Sequence, residues 1–466
     1  MPVEWSSSPP ELLIRLDRDA RSPLRDQLEG AVRDAIRDGR LAPGERLPSS
    51  RALAAQLGVA RGVVTECYAQ LHAEGYLRSQ RGAATWVADA GAASAEVVAR
   101  PAPAVGPWQV DLRPGIPDLD SFPRVEWARC LRQVLREAPN AVLGYAGAEG
   151  VPELREVLAA YLSRVRSARA APEHLVVTAG FAQGLQLVLQ ALAARGLTTL
   201  AVEDPGDRDS HALAADLGLR VLPVPVDRDG IDVEALASTS AGAVLVTPAH
   251  QSPTGVLLGA ERRRELAQWA RSRGATILED DYDAEFRYDD QPVGALQGLA
   301  PDHVVLLGSV SKSLAPAVRL GWALCPPDLA PDVAGRRERA DRGSPVLDQL
   351  ALARLVRDGR YDRHLRRMRA RYAARRRVLV DALHDHVPGV EVSGLAAGFH
   401  LVVTLPTARG EQEIVDAAAA RSVGLHAMGR YRAADGDGTA RLVLGFGNVR
   451  TSGVPDAVAR IADLLR

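Results

Sequence analysis

"GSVSKSLAPAVRLGW", residues Gly308 to Trp322, contains the only lysine of the chain: of 57 basic Lys and Arg side chains, one is Lys312 and 56 are arginine. The bias towards Ala, Arg, Gly and Pro reads as a GC-rich coding sequence, which replaces lysine by arginine wherever any positive charge serves. An amine kept at one place points to a use that a guanidinium cannot meet, because arginine does not deprotonate in proteins and is no usable nucleophile. One lysine must still fall somewhere, so its weight comes from its surroundings. The preceding apolar run "HVVLLGSVS" reads as a buried strand. Ser309, Ser311 and Lys312 then lie at a strand end, where open α/β sheets bind their ligands.

A chain of 466 residues is too long for one ordinary core, so two or three domains are expected. Hydrophobic content of 47% and charged content of 25% are globular averages. No apolar run has the length of a membrane span, and "MPVEWSSSPPELL" does not read as a secretory signal. The expectation is a cytoplasmic protein without a membrane partner. Cys67, Cys130 and Cys325 are dispersed and odd in number, which excludes a disulfide framework and a CxxC site. The ten histidines include no HExxH, so no metal site is expected. A net charge of −1 gives no global attraction to nucleic acid, yet Arg15 to Val87 holds 12 Arg against 9 Asp plus Glu.

Within that basic stretch, "SPLRDQLEGAVRDAIRDG" predicts a helix with Ser22 as cap, Pro23 in its first turn and Gly39 at its end. Leu24, Leu28, Ala31, Val32, Ala35 and Ile36 fall on one face. "RLAPGERLPSS" is a turn that delivers Ser49 or Ser50 as cap of a short helix, "RALAAQLG", and "ARGVVTECYAQLHAEG" follows as a third. Two short helices joined by a tight turn, the second opening on an arginine, meet the needs of a helix-turn-helix. "YLRSQRGAATWV" adds two extended pieces around Arg81-Gly82, a wing. An arginine alone on a helix is usually just solvated; in this ordered pattern, contact with double-stranded DNA is the better reading.

The run "GRLAPGERLPSSRALAAQLGVARGVV...YAQLHAEGYLRSQRGAATWV" resembles the winged helix-turn-helix of GntR-type transcription regulators. The resemblance implies DNA contacts from Ser49, Arg51 and Arg61, with Arg81 of the wing approaching the minor groove. One departure stands out: Ala60-Arg61-Gly62-Val63 replaces the family's hydroxyl cap and neighbouring hydroxyls at the recognition helix, a loss of about 1 kcal/mol.

Residues 12–87 are thus read as the DNA-binding domain and the Ala/Gly/Pro-rich 88–108 as a linker. From 109 to 466, strand-like runs ("HLVVTAG", "TTLAVEDPG", "GAVLVTPAH", "ATILEDDYD", "HVVLLGSVS") alternate with helical stretches, predicting an α/β domain with a mainly parallel sheet. Schiff-base formation with pyridoxal 5'-phosphate would account for the single lysine, since that chemistry demands an amine. Asp280 would partner the pyridine nitrogen and Tyr282 donate to the ring oxygen. Ser309, Ser311, Arg319 and the helix start at Gly180, Phe181 and Ala182 would bind phosphate.

"LRPGIPDLDSFP", "GYAGAEGVPELREVLAAYL", "TPAHQSPTG", "ILEDDYDAEFRY" and "GSVSKSLAPAVRLGW" occur in the order found in fold-type I aminotransferases. With the winged helix they resemble the MocR-type branch of GntR regulators over nearly the whole chain. That resemblance implies a head-to-tail, domain-swapped homodimer in which Tyr145 reaches the partner's phosphate and Arg441 takes a ligand carboxylate. It also implies sensing of a B6 vitamer or small amino compound, with transaminase activity at most residual. Asp207 stands where the family commonly has a ring-stacking aromatic, for which Phe181 is a substitute, and Ser252 stands where working aminotransferases have asparagine. Arg430 and Arg432 are rivals of Arg441, and Asp280 and Asp281 would otherwise be a helix cap or ion-pair partners. The eleven arginines between Arg354 and Arg377 predict one long helix with a solvated basic face rather than a second DNA surface. Two other functions stay open: a working aminotransferase with a DNA-binding appendage, and a regulator whose larger domain is a cofactor-free scaffold.

Overall fold

The computed structural model describes residues 14, 16–20, 22–79, 84–88, 108–145, 147–288, 293–434 and 438–466. They fall into two units divided between positions 105 and 106, so the proposed linker lies almost wholly outside the described residues. No helix among them is long and apolar enough to cross a membrane.

The first unit packs α1 (Leu24–Arg37), α2 (Ser50–Leu57) and α3 (Arg61–Ala73) around Leu28, Val32, Leu53, Val64, Cys67 and Leu71. Ser49 caps α2, its hydroxyl accepting from the Ala52 N–H at 3.2 Å, and Gly58 ends it at φ +64°. Ser22 does not cap α1: Pro23 holds the N-cap position without a side-chain bond, and the Ser22 carbonyl instead accepts from Gln27 Nε2 at 2.9 Å. α3 starts at Ala60 with no side-chain cap. β1 (Leu77–Ser79) pairs antiparallel with β2 (Thr85–Val87), the two sides of the wing.

In the second unit, β3 (Val110–Asp111) pairs with β14 (Val423–Gly424). The main sheet contains β4 (Leu175–Thr178), β5 (Thr199–Asp204), β6 (Arg220–Asp227), β7 (Gly230–Ile231), β8 (Ala243–Val246), β9 (Thr276–Asp281), β10 (Val304–Ser309) and β11 (Gly321–Leu324). Their spatial order is β4-β11-β10-β9-β8-β5-β6-β7. The pairs from β10 to β6 are parallel, and β11 runs antiparallel to both its neighbours. The five quoted runs form β4, β5, β8, β9 and β10, whereas β11 lies inside the lysine motif and was not anticipated as a strand. A smaller sheet, in the order β12 (Glu391–Ser393), β13 (His400–Thr404), β16 (Arg441–Gly445), β15 (His426–Ala427), stands apart from it.

The arginine-rich region is two helices, Val346–Arg357 and Arg360–His386, not one. Gly359, at φ +66°, breaks the pattern. Its basic face is also only partly solvated: Arg375 is buried and donates to Asp118 Oδ2 at 3.0 Å, joined there by Arg371.

The lysine motif returns upon itself between β10 and β11. Gly308 faces Trp322 across that pair, and a Cβ on Gly308 would lie 2.5 Å from the indole. The glycine therefore makes room for the tryptophan, which is 4% exposed. Gly308→Ala overpacks this contact and is expected to lower the unfolding free energy of the second unit by about 1–3 kcal/mol. Urea unfolding of the full chain checks this, and an unchanged midpoint would refute the packing.

Candidate functional site

The carboxyl ends of the parallel strands open into a cavity of about 480 Å³. β10 delivers Ser309, Ser311 and Lys312, β9 delivers Asp280 and Tyr282, and the start of the helix Phe181–Ala194 delivers Phe181 and Ala182. Arg319 is on the same wall. Residues separated by more than 100 positions thus meet because successive parallel strands release their loops on one edge.

Lys312 Nζ donates to the Gly115 carbonyl at 2.5 Å. Burial lowers its pKa, while the negative charges of Asp280, Asp283 and Asp207 oppose the shift. The balance favours the neutral, nucleophilic amine more than in an ordinary lysine. Asp280 Oδ1 is buried and has no hydrogen-bond partner among the described residues. Burial, with Asp207, Asp281 and Asp283 adding to it, pushes its carboxyl well above the usual range. An acceptor left in that condition is costly unless a donor enters the cavity to meet it.

At the other end, Gly180 occupies the N-cap of Phe181–Ala194 without any side-chain cap. Its φ of +95° suits glycine, and a Cβ there would stand 3.3 Å from Arg319 Nη1. Gly180 is a spacer behind the arginine and is not among the lining residues. The Ser311 N–H donates to Ser309 Oγ at 3.4 Å, and the Arg319 guanidinium has no hydrogen bond or ion pair among the described residues, although its backbone N–H donates to the Pro316 carbonyl at 3.3 Å. First-turn N–H groups, two hydroxyls and a guanidinium form a donor set for an anion.

Tyr282 donates its hydroxyl to the His250 carbonyl at 2.9 Å, and the same oxygen lies 3.1 Å from His250 Nδ1. Asp207 lies on the cavity wall, and its oxygens accept from the N–H groups of Asp209 and Ser210 at 3.3 Å each and from Ser210 Oγ at 2.5 Å. Its presence has a local cause: it caps the helix Arg208–Asp216. Ser252 also lines the cavity.

Two expected residues stand elsewhere in the chain. Tyr145 is 86% exposed, away from the cavity, with the Arg342 guanidinium 5.2 Å from its ring centre. Arg441 opens β16, its N–H donating to Glu411 Oε1 at 3.0 Å, and is not among the lining residues. Of its rivals, Arg432 pairs with Glu411 at 3.5 Å, and Arg430 alone reaches the cavity. In the first unit Arg51 and Arg61 are exposed at the starts of α2 and α3, Arg61 Nε donating to Ser50 Oγ at 3.4 Å. Arg81 lies outside the described residues.

Sequence reasoning missed Glu203, His211, His400, His426 and Tyr431, which all line the cavity. Buried Glu203 accepts from Thr247 and Gln251, and burial pushes its carboxyl up to about 7. Glu203 stood within the quoted "VEDPG", an acid in an apolar strand, which was a usable signal. His400, His426 and Tyr431 come from the smaller sheet and its connections, which carried none. His250, Asp283 and His400, all buried, also bring potential metal-ligand atoms within 4.8 Å of one another, a grouping invisible in the spacing.

The comparisons with known proteins agree with both units. Residues 109–434 match the family model of aminotransferase class I and II, and residues 24–87 match that of bacterial regulatory proteins, gntR family. The probable rhizopine catabolism regulatory protein MocR of Rhizobium meliloti is 33% identical over 439 residues, covering 90% of this chain and 89% of the relative. The HTH-type pyridoxine biosynthesis transcriptional regulator PdxR of Corynebacterium glutamicum is 32% identical, with 97% and 98% covered. Among solved structures, the Thermus thermophilus α-aminoadipate aminotransferase LysN, complexed with N-(5'-phosphopyridoxyl)-L-leucine, is similar at a TM-score of 0.69. It is 26% identical, with 76% of this chain and 92% of that one covered.

Because Lys312 is the sole lysine, its titration can be followed directly. Labelling by an amine-directed reagent, quantified by mass spectrometry across pH, is expected to show a midpoint below the ordinary lysine value in the folded chain. Unfolding in urea should restore the ordinary midpoint. Equal midpoints folded and unfolded would contradict the burial of the amine.

Proposed function

The chain belongs to the MocR-type regulators of the GntR family, and from that membership we propose a cytoplasmic transcription regulator whose larger unit binds pyridoxal 5'-phosphate at Lys312. The carrying observation is the joint presence of a shielded amine, an orphaned Asp280 oxygen and an anion-binding donor set in one cavity. Those three features fit the carbonyl, ring nitrogen and phosphate of that cofactor in kind and number. When bound, the cofactor supplies an electrophilic carbon through which an amino compound can be carried.

Each residue has a distinct task. Lys312 provides the nucleophilic amine, Asp280 accepts the ring N–H, and Tyr282 offers a proton to the ring oxygen. Ser309, Ser311, Arg319 and the N–H groups of Phe181 and Ala182 hold the phosphate, with Tyr145 of a second copy closing it. The exposure of Val125, Leu135, Leu143 and Tyr145 supports a homodimer in which these side chains are covered. Arg430, which lines the cavity, is a better placed carboxylate partner for an effector than Arg441, which does not. Ser49, Arg51, Arg61 and Arg81 supply the DNA contacts, Arg61 at the start of the recognition helix.

The effector, a small amino compound or the B6 vitamer, acts by binding one arrangement of the dimer better than another, a coupling of about 1–3 kcal/mol. Asp207 and Ser252 argue for sensing in place of sustained transamination.

Two outcomes test this reading. Borohydride reduction of the chain loaded with pyridoxal phosphate should leave a pyridoxyl mass on Lys312 and none in Lys312→Ala. Arg61→Ala should weaken binding to a duplex selected from genomic fragments by the full chain about tenfold or more, as expected for loss of a base-reading arginine. An absent adduct removes the cofactor, and unchanged DNA affinity removes Arg61 from the interface.

A further inference from the structure

His250 and Asp283 form a buried pair that none of the tasks above uses. Both are 2% exposed, and His250 Nδ1 lies 2.7 Å from Asp283 Oδ2. The same Nδ1 lies 3.1 Å from the Tyr282 hydroxyl, which donates to the His250 carbonyl and lies beside the Asp283 carboxylate. One imidazole nitrogen therefore stands between a carboxylate and a phenol, and where its proton resides decides what the phenol can do.

We propose that the His250–Asp283 pair is a positioning device for Tyr282, holding the imidazole as the Nδ1–H tautomer so that the phenol keeps its own proton for a ligand oxygen in the cavity. This rests on the reading that pyridoxal phosphate binds there.

The shorter, charge-assisted contact decides the tautomer. With the proton on Nδ1 donated to Asp283, that nitrogen has no lone pair left to accept from Tyr282. The phenol proton is then shared with the His250 carbonyl and the nearby Asp283 carboxylate, from which it can turn to a ligand acceptor. With the opposite assignment Nδ1 would accept from Tyr282, and the cavity would lose its donor.

Three further observations agree. His250 Nε2 is buried without a hydrogen-bond partner, which is tolerable for a bare acceptor and costly for an N–H. His400 packs against His250 with ring centres 4.9 Å apart and planes tilted by 40°, and its own Nε2 is 3.2 Å from the Pro253 carbonyl. Burial and the neighbouring His250 push the His400 pKa down to about 3, so it adds no competing positive charge. Finally, space for the pair depends on Gly398: a Cβ there would lie 2.4 Å from Asp283 Oδ2 and 2.5 Å from His250 Cε1.

The groups around the phenol come from four elements: Asp280 and Asp283 from β9 and its end, His250 after β8, Glu203 from β5, and His400 from β13 behind His250. Burial and then the charges of Asp283, Asp280 and Glu203 keep Tyr282 protonated, hence a donor. The three buried residues also satisfy the loose geometry of a metal site. The 2.7 Å contact instead commits Asp283 to His250, as a carboxylate orienting an imidazole does.

The test uses the full chain and pyridoxal phosphate, with the visible spectrum of the lysine-bound chromophore followed across pH. A donor to the ring oxygen favours its anionic form, so removing the donor raises the chromophore's midpoint. Tyr282→Phe should raise it by about one pH unit, a tenfold change in proton affinity. Asp283→Asn should raise it in the same direction, and the double variant should go no further than Tyr282→Phe alone. A wild-type midpoint in Asp283→Asn, or shifts that add in full, would overturn the proposal.

A second readout needs no cofactor. The imidazole ¹⁵N spectrum should show the Nδ1–H tautomer at His250 in the wild type, passing to Nε2–H in Asp283→Asn. An Nε2–H signal in the wild type, or stoichiometric zinc retained after dialysis and lost with Asp283→Asn, would refute the assignment. Absence of any lysine-bound chromophore in the wild type removes the cofactor reading instead, while the imidazole spectrum still decides the tautomer.

Discussion

The site depends on placing one amine where water is scarce and its only hydrogen bond among the described residues is to a backbone carbonyl. Lys312 meets Gly115 at the edge of the sheet, on a turn that leaves β10 and returns as β11. That turn is also fixed from behind: Tyr361 donates to Ser313 Oγ at 2.7 Å, and His364 Nε2 lies 2.8 Å from the Ser313 carbonyl. Both belong to the helix Arg360–His386, so the arginine-rich segment helps to hold the lysine turn. Desolvating a lysine is unfavourable for its charged form, and the surrounding carboxylates limit that penalty without removing it.

The same constraint arranges the other end of the cavity. Gly180 and Gly321 allow β4's following helix and the start of β11 to touch, since a Cβ on Gly321 would lie 2.8 Å from Gly180 Cα. The helix start then lies beside Ser309, Ser311 and Arg319, and one anion can meet all of them. Asp207, unusual in a place associated with aromatic stacking, is explained by capping the helix that borders the cavity. It contributes negative charge to the environments of both Lys312 and Asp280.

Much of this was legible before any coordinates. Strands buried on both faces appear as continuous apolar runs, which is why β4, β5, β8, β9 and β10 could be read from the chain. Their ends then offered Lys312, Asp280, Tyr282 and Ser309 as one group. β11 was hidden because four residues opening on Gly321-Trp322 have no alternation of their own. The break at Gly359 was hidden because arginine spacing continues across it, and Ser22 lost its expected cap to Pro23. His400 and Tyr431 could not be assigned, because the smaller sheet follows the lysine motif only after a long stretch of helices and only tertiary packing brings it over the cavity. Arg375 shows the same limit: its neighbours suggested a solvated face, whereas Asp118, 257 positions away, draws it inside.

Occupancy at Lys312 is proposed to govern DNA affinity, and the deciding measurement is fluorescence anisotropy of a selected genomic duplex at fixed salt, with and without pyridoxal phosphate. The cofactor should change the affinity of the wild-type chain by about five-fold to 150-fold and leave that of Lys312→Ala unchanged. Equal wild-type affinities with and without the cofactor, at concentrations that saturate Lys312, would contradict it and reduce the larger unit to a scaffold.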